Sequence, residues 1–174
     1  MLCKKIILIG NGQSVCDKRL GPIIDSFETV VRFNNFQIED FEEFTGRKTT
    51  IWVRNDNLES VPDRNGKFKE VLLSCNPVRV GSTPSHTAVI KNYHAEYERW
   101  LSTGMMAILH FVENNDFPIF LHGFDFFGRR IHHYFPTDIP RSKYHSGKFE
   151  RAEVRKLIAQ EKVKILKDHL VMLL

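Results

Sequence analysis

Three groups of residues in this chain have types and spacings that can do chemistry. The first is a glycine turn after an apolar strand, where Ile6-Ile7-Leu8-Ile9 runs into Gly10-Asn11-Gly12-Gln13-Ser14. Such a turn presents backbone N–H groups at a strand's carboxyl end, where open α/β sheets receive phosphates and nucleotides. Asn11 adds a side-chain amide there. Asn34, in Val30-Val31-Arg32-Phe33-Asn34-Asn35, offers a second amide from the end of the next strand. The second group is Ser102-Thr103-Gly104, placed ahead of an apolar helical run. Ser102 or Thr103 is a natural N-cap, and a helix start attracts anions. The third group is His132-His133-Tyr134-Phe135 together with His145, which Glu150 follows in the sequence. Imidazole titrates near working pH, so it can take a proton as general base or donate a hydrogen bond to a departing anion.

Each group also has a plain structural reading. A glycine turn connects strands without any ligand, and an asparagine often satisfies its own turn. Capping alone accounts for Ser102, dipole compensation for a Glu150 in the first turn of a helix, and most single histidines are structural. The dinucleotide fingerprint fails because Val15 stands where a third small residue is needed, and no lysine follows in P-loop spacing. A metal centre is not indicated. His122, His132, His133 and Asp125 fall into no HExxH, CxxC or paired-acid spacing, and Gly123-Phe124-Asp125-Phe126 lacks the second acid of a D-x-D.

Taken in order along the chain, these pieces resemble a known family. Gly10-Asn11-Gly12, Ile24-Asp25-Ser26-Phe27, the Val30–Asn35 run and Phe41-Glu42-Glu43-Phe44-Thr45-Gly46-Arg47-Lys48-Thr49-Thr50 resemble the large sialylmotif of the glycosyltransferase family 29 sialyltransferases. Ser102-Thr103-Gly104-Met105-Met106-Ala107 with Ile119-Phe120-Leu121-His122-Gly123-Phe124 is similar to the small motif, and His133-Tyr134 to the third. His145-Ser146-Gly147-Lys148-Phe149-Glu150 matches the very small motif, H-x-x-x-x-E. The four elements span residues 6 to 150 in the family's order.

The resemblance implies transfer of an acidic sugar from its CMP ester to a glycan hydroxyl, with inversion and without a metal or other cofactor. It implies His145 as general base and His133 as donor to the leaving phosphate, and it places Asn11, Gly12, Asn34, Ser102, Thr103 and Gly104 around CMP. Tyr134 and Glu150 become supporting residues. Sialic acid and Kdo are both 2-keto acids activated as CMP esters, so the donor stays open between them, and the expected setting is a bacterial capsule or lipopolysaccharide pathway. The other reading is a noncatalytic CMP- or glycan-binding module on the same fold, suggested by a chain of 174 residues, shorter than the family's usual catalytic domains.

These residues need a scaffold that brings strand ends together. Short apolar runs predict strands at 5–9, 28–33, 49–54, 70–74 and 118–122, and periodicity predicts helices around 17–24, 88–100, 104–114 and 149–170. Alternation of the two argues for an α/β fold with a mostly parallel central sheet. Together with the resemblance this gives a single-domain, Rossmann-like sandwich over residues 1–174, a GT-A-like sialyltransferase variant. The polar loops 55–68 and 76–87 are expected at the surface, one of them covering the cleft.

With 42% hydrophobic and 26% charged residues, composition is that of an ordinary globular domain. The net charge of +4 is scattered, which fits an anionic ligand but shows none of the basic, aromatic-interleaved runs of a nucleic-acid binder. No stretch reaches the ~20 apolar residues of a membrane span. Met1–Lys5 leaves no room for a signal peptide before the first strand. Cys3, Cys16 and Cys75 read as free thiols. The family's secretory members join their large and small motifs by a disulfide, whereas the corresponding places here are Ile6 and about Asn115. The expectation is a cytoplasmic, bacterial-type enzyme. Leu170–Leu174, with Lys162, Lys164 and Lys167, suggests peripheral membrane contact through a C-terminal helix.

Overall fold

The computed structural model describes residues 5–55, 68–74, 87–126, 128–129, 133–137 and 143–166. Its centre is a seven-stranded sheet built from β1 (Ile6–Ile9), β2 (Thr29–Phe33), β3 (Ile51–Arg54), β4 (Glu70–Leu73), β5 (Thr87–Val89), β6 (Ile119–His122) and β7 (Val163–Ile165). The strand order is β5-β4-β3-β2-β1-β6-β7, and every pairing is parallel. The sheet is thus wholly rather than mostly parallel. The chain steps outward from β1 to β5 and then returns to the other side of β1 for β6. That reversal makes the carboxyl ends of β1 and β6 the topological switch point, the place where open α/β sheets bind ligands in a crevice.

β1, β3 and β6 are buried along their whole length, the mark of strands covered on both faces. Alternation then sends Leu8, Val31, Val53 and Leu72 to one core and Ile7, Ile9, Val30 and Phe120 to the other. Over the first lie helices α4 (Thr103–Glu113) and α5 (Gly147–Ala159), through Met105, Ile108, Phe111 and Val154. Over the second lie the 3-10 turn Gln13–Asp17, helix α1 (Gly21–Asp25) and the segment Tyr134-Phe135. Two short helices complete the described elements, α2 (Glu42–Thr45) and α3 (Tyr93–Glu96).

Arg32 fastens β2 to the loop after α2. Fully buried, its guanidinium donates to the carbonyls of Thr45 at 2.7 Å, Gly46 at 3.0 Å and Lys48 at 3.0 Å, and to Thr49 Oγ1 at 3.0 Å. Burial without a carboxylate partner pulls its pKa down to about 10.

Several elements differ from the sequence expectation. The helix expected over 17–24 is a 3-10 turn followed by a short α-helix, and the one over 88–100 shrinks to α3 with β5 before it. The helix expected to run from 149 to 170 ends at Ala159. Glu161 takes a positive φ of 59°, and the chain enters β7 with Lys162 and Lys164 exposed. The lysines assigned to a membrane-facing helix therefore sit on a turn and an edge strand. Lys167 and Leu170–Leu174 lie outside the described residues, as do Cys3, Cys75 and most of the two polar loops. No helix among the described residues is long and apolar enough to cross a membrane.

Candidate active site at the carboxyl edge of the sheet

The Gly10–Ser14 turn follows β1 and packs directly on the loop after β6. Gly10 N donates to His122 O at 2.8 Å and Gly12 N to Gly123 O at 2.9 Å. A Cβ at Gly10 would lie 2.4 Å from Gly123 O, and one at Gly12 2.8 Å from an Asp125 carboxylate oxygen. The two glycines thus let β1 and β6 loops touch, and their N–H groups are spent on that contact. Val15, which breaks the dinucleotide pattern, is fully buried where a Cβ on Gly123 would come within 2.2 Å of it. Asp125 accepts from Ser14 N at 3.1 Å, so it holds the turn together. The turn feeds a 3-10 helix rather than an α-helix, so it carries no long helix dipole.

Asn11 is fixed from both sides. Its carbonyl accepts from Tyr134 N at 3.0 Å, and its Nδ2 donates to Phe33 O at 3.2 Å. A carbonyl can only accept, so Nδ2 must face Phe33, and Oδ1 is left buried with no partner among the described residues. The free atom of Asn11 is therefore an acceptor. A buried acceptor without a partner is costly in the empty molecule and suits a ligand hydroxyl or amino group rather than a phosphate. Asn34, just beyond β2, adopts a positive φ of 47°. Its carbonyl accepts from Trp52 Nε1 at 2.8 Å and its Oδ1 from Asn55 N at 2.9 Å, which orients the amide Nδ2 as the remaining donor.

Tyr134 carries the next part of the site. Buried against Phe41 and Phe135, it exchanges hydrogen bonds through its hydroxyl with the backbone of Gln37. With its N–H on Asn11, this pins His133 beside the turn, where the imidazole stacks on Phe135 at 5.3 Å. His132 lies outside the described residues.

The small-motif serine is the N-cap of α4. Ser102 Oγ accepts from Met105 N at 3.2 Å and donates to Glu150 Oε2 at 2.8 Å, while Ser102 N donates to Glu150 Oε1 at 2.7 Å. Ser102 is thereby committed to the frame. Thr103 and Gly104 supply the first-turn N–H groups that lack intrahelical partners. Their position is set by Thr103 Oγ1, 3.4 Å from Ser74 Oγ at the end of β4, and by Phe124 beyond β6, whose ring leaves Gly104 room for no Cβ farther than 3.0 Å away. Phe124 also meets Phe33 edge-on at 5.7 Å. The start of α4 is thus held over the ends of β2, β4 and β6.

Glu150, in the first turn of α5, is 2% exposed. Desolvation raises its pKa, opposed by the two Ser102 hydrogen bonds and by neighbouring His145. It locks one helix start onto another, a fuller role than dipole compensation. His145 sits just before α5, half-buried, with Nδ1 3.2 Å from Trp100 O. The carbonyl accepts, so Nδ1 carries the hydrogen, and of the two neutral tautomers this is the one with its lone pair on Nε2. That is the tautomer a base requires. Asn11, Asn34 and His133 form one group at the switch point, and Ser102, Glu150 and His145 form another, joined through Gly104, Phe124 and Phe33. Sequence reasoning assigned no role to Trp100, placed Gly123 and Arg32 only within motifs, and raised Asp125 only as a metal ligand. Of these, only Gly123 and Asp125 carried a signal, standing two residues apart in the turn after β6.

Residues 2–77 match the family model described as glycosyltransferase family 29 (sialyltransferase). The human type 2 lactosamine alpha-2,3-sialyltransferase is 44% identical over 73 residues, 41% of this chain and 22% of that protein. The matched stretch therefore spans less than a quarter of the length of these curated relatives. A mammalian sialyltransferase crystal structure superposes with a TM-score of 0.72 at 24% identity, covering 95% of this chain and 69% of that one. A Campylobacter jejuni sialyltransferase solved with the substrate analogue CMP-3FNeuAc gives 0.66 at 16% identity, covering 94% and 81%. At these identities the structural likeness is one of fold, and it extends well past residue 77. Residues 2–77 thus carry the sequence signature of glycosyltransferase family 29, and the described chain shares the fold of these sialyltransferase structures.

Proposed function

We propose that the chain transfers an acidic sugar from its CMP ester to a glycan hydroxyl, with inversion and without a metal ion. The donor is sialic acid, with Kdo as the alternative that shares its quaternary anomeric carbon and carboxylate. The acceptor is a galactoside, in keeping with the lactosamine in the relative's name. The observation that carries the reading is the buried Oδ1 of Asn11 at the sheet's switch point, without a partner among the described residues. It calls for a ligand donor such as a cytidine amino group or a ribose hydroxyl.

In this reading Asn11 and Asn34 hold the nucleoside, and the Thr103 and Gly104 N–H groups with His133 receive the phosphate. Negative charge grows there as the glycosidic bond breaks, so donors aimed at it favour the transition state. His145 takes the acceptor's proton on Nε2 as its oxygen attacks the opposite face of the anomeric carbon. Trp100 O steadies the imidazolium that results. Glu150 positions Ser102 and lies near enough to His145 for its charge to be felt.

Calorimetry tests the nucleotide site. Asn11→Ala and Asn34→Ala should each weaken CMP binding by about 1–3 kcal/mol for a lost hydrogen bond in a buried site. Unchanged affinity in both folded variants removes these residues from the site.

A further inference from the structure

We propose that the indole of Trp100, flanked by Tyr144, is the platform on which the acceptor's terminal pyranose stacks; this deepens the transfer reading above and rests on it. Trp100 is 64% exposed and Tyr144 66%. The other exposed large hydrophobic residues among the described ones are single aliphatic side chains, Val89, Ile158 and Ile165, and each is less exposed, at 48%, 38% and 41%. Here two aromatic rings stand at the rim of one cavity of about 200 Å³, lined also by Arg99, Ser146, Phe149 and Glu150. Exposed aromatic surface gathered at a cavity beside polar groups is the chemistry that recognises a sugar, which presents a C–H face and a hydroxyl rim.

The indole is held in place rather than loose. The His94 ring backs it at 4.8 Å, and His94 Nδ1 accepts from Leu101 N at 3.0 Å, fixing the backbone that follows. The same Trp100 supplies the carbonyl that sets the His145 tautomer. One residue therefore ties the surface that would receive a sugar to the ring that would deprotonate it. Among hexoses, galactose has an axial O4 that clears the hydrogens of C3, C4, C5 and C6 on one face. Its apolar patch is larger than that of glucose, so the platform favours a galactose terminus.

The chain has two tryptophans, and Trp52 is 1% exposed, so accessible-quencher fluorescence reads Trp100. Lactose, with cellobiose as the glucose-terminated control, serves as probe in the presence of CMP. Lactose should protect Trp100 from acrylamide more than cellobiose does, and Trp100→Phe should remove the signal. In transfer assays Trp100→Ala and Tyr144→Ala should each raise the lactose KM about tenfold, the scale of one lost ring contact. CMP binding and donor hydrolysis by the wild type, measured without acceptor, test the underlying reading separately. Equal quenching with and without lactose overturns the platform whether or not the donor is hydrolysed, as does a wild-type KM in both variants.

Discussion

At the residue scale, the two histidines are distinguished by what holds them. His145 is tied to Trp100 O on the helix side, whereas His133 rides on the Tyr134–Asn11 contact at the nucleotide side. His145→Ala should lower transfer by about 10²–10⁴-fold, the usual loss for a general base, with CMP affinity nearly unchanged. His133→Ala should lower turnover and weaken CMP binding together, because part of its hydrogen bond exists already in the bound state. Steady-state kinetics beside calorimetry separates them, and reversed binding phenotypes would mean the two roles are exchanged. Residue types were legible in the sequence at this scale, but atoms were not. That Asn11 offers Oδ1 rather than its amide nitrogen follows from Phe33 O, a backbone atom on another strand. The platform at Trp100 was not legible at all, since nothing in a lone tryptophan says which way it faces.

At the element scale, the helix starts of α4 and α5 depend on one carboxylate. Glu150→Ala leaves the Ser102 N–H and the cap hydroxyl without their acceptor inside the fold and should cost about 1–3 kcal/mol by denaturant unfolding. Glu150→Gln keeps an acceptor for Ser102 N and should recover most of that loss. Equal destabilisation by both variants would show that charge, and not the acceptor geometry, is what Ser102 needs. α4 and the five interior strands could be read from the sequence because α4 is long and each strand is a mostly apolar run. β5 and β7 could not. Each has three residues, and β7 has one buried and two exposed positions shortly after a helix, so its pattern merges with the helical one. Their strand character comes from edge pairing with β4 and β6, a tertiary choice.

At the scale of the whole molecule, burial sets the response to pH. Desolvation lowers the pKa of His94, His110 and His122 from 6.5. The unfolded chain therefore takes up these protons before the folded one, and the stability they contribute is intact above 6.5 and lost as pH falls through their lower folded values. Glu150, raised by burial, works in the opposite sense, its cost relieved as pH falls through its raised value. Thermal unfolding followed from about pH 7.5 to 5 should show a falling Tm, with a shallower slope in His122→Asn. A flat profile would show that these imidazoles are solvated. Turnover should survive EDTA, since the proposal gives the phosphate to N–H groups and His133; activity lost to chelator and restored by manganese would replace that arrangement with a metal-assisted one. The parallel sheet was legible as a whole because alternating strands and helices leave few other arrangements. The switch point was not, because it depends on β6 returning beside β1.

Donor turnover tests the central claim most directly. The chain would be incubated with CMP-sialic acid and, in parallel, CMP-Kdo, with and without lactose, and CMP release followed over time. Transfer predicts CMP release from CMP-sialic acid, accelerated by lactose and lost in His145→Ala. Tight CMP binding with no release from either donor would contradict it and make the chain a nucleotide-binding module on a transferase fold.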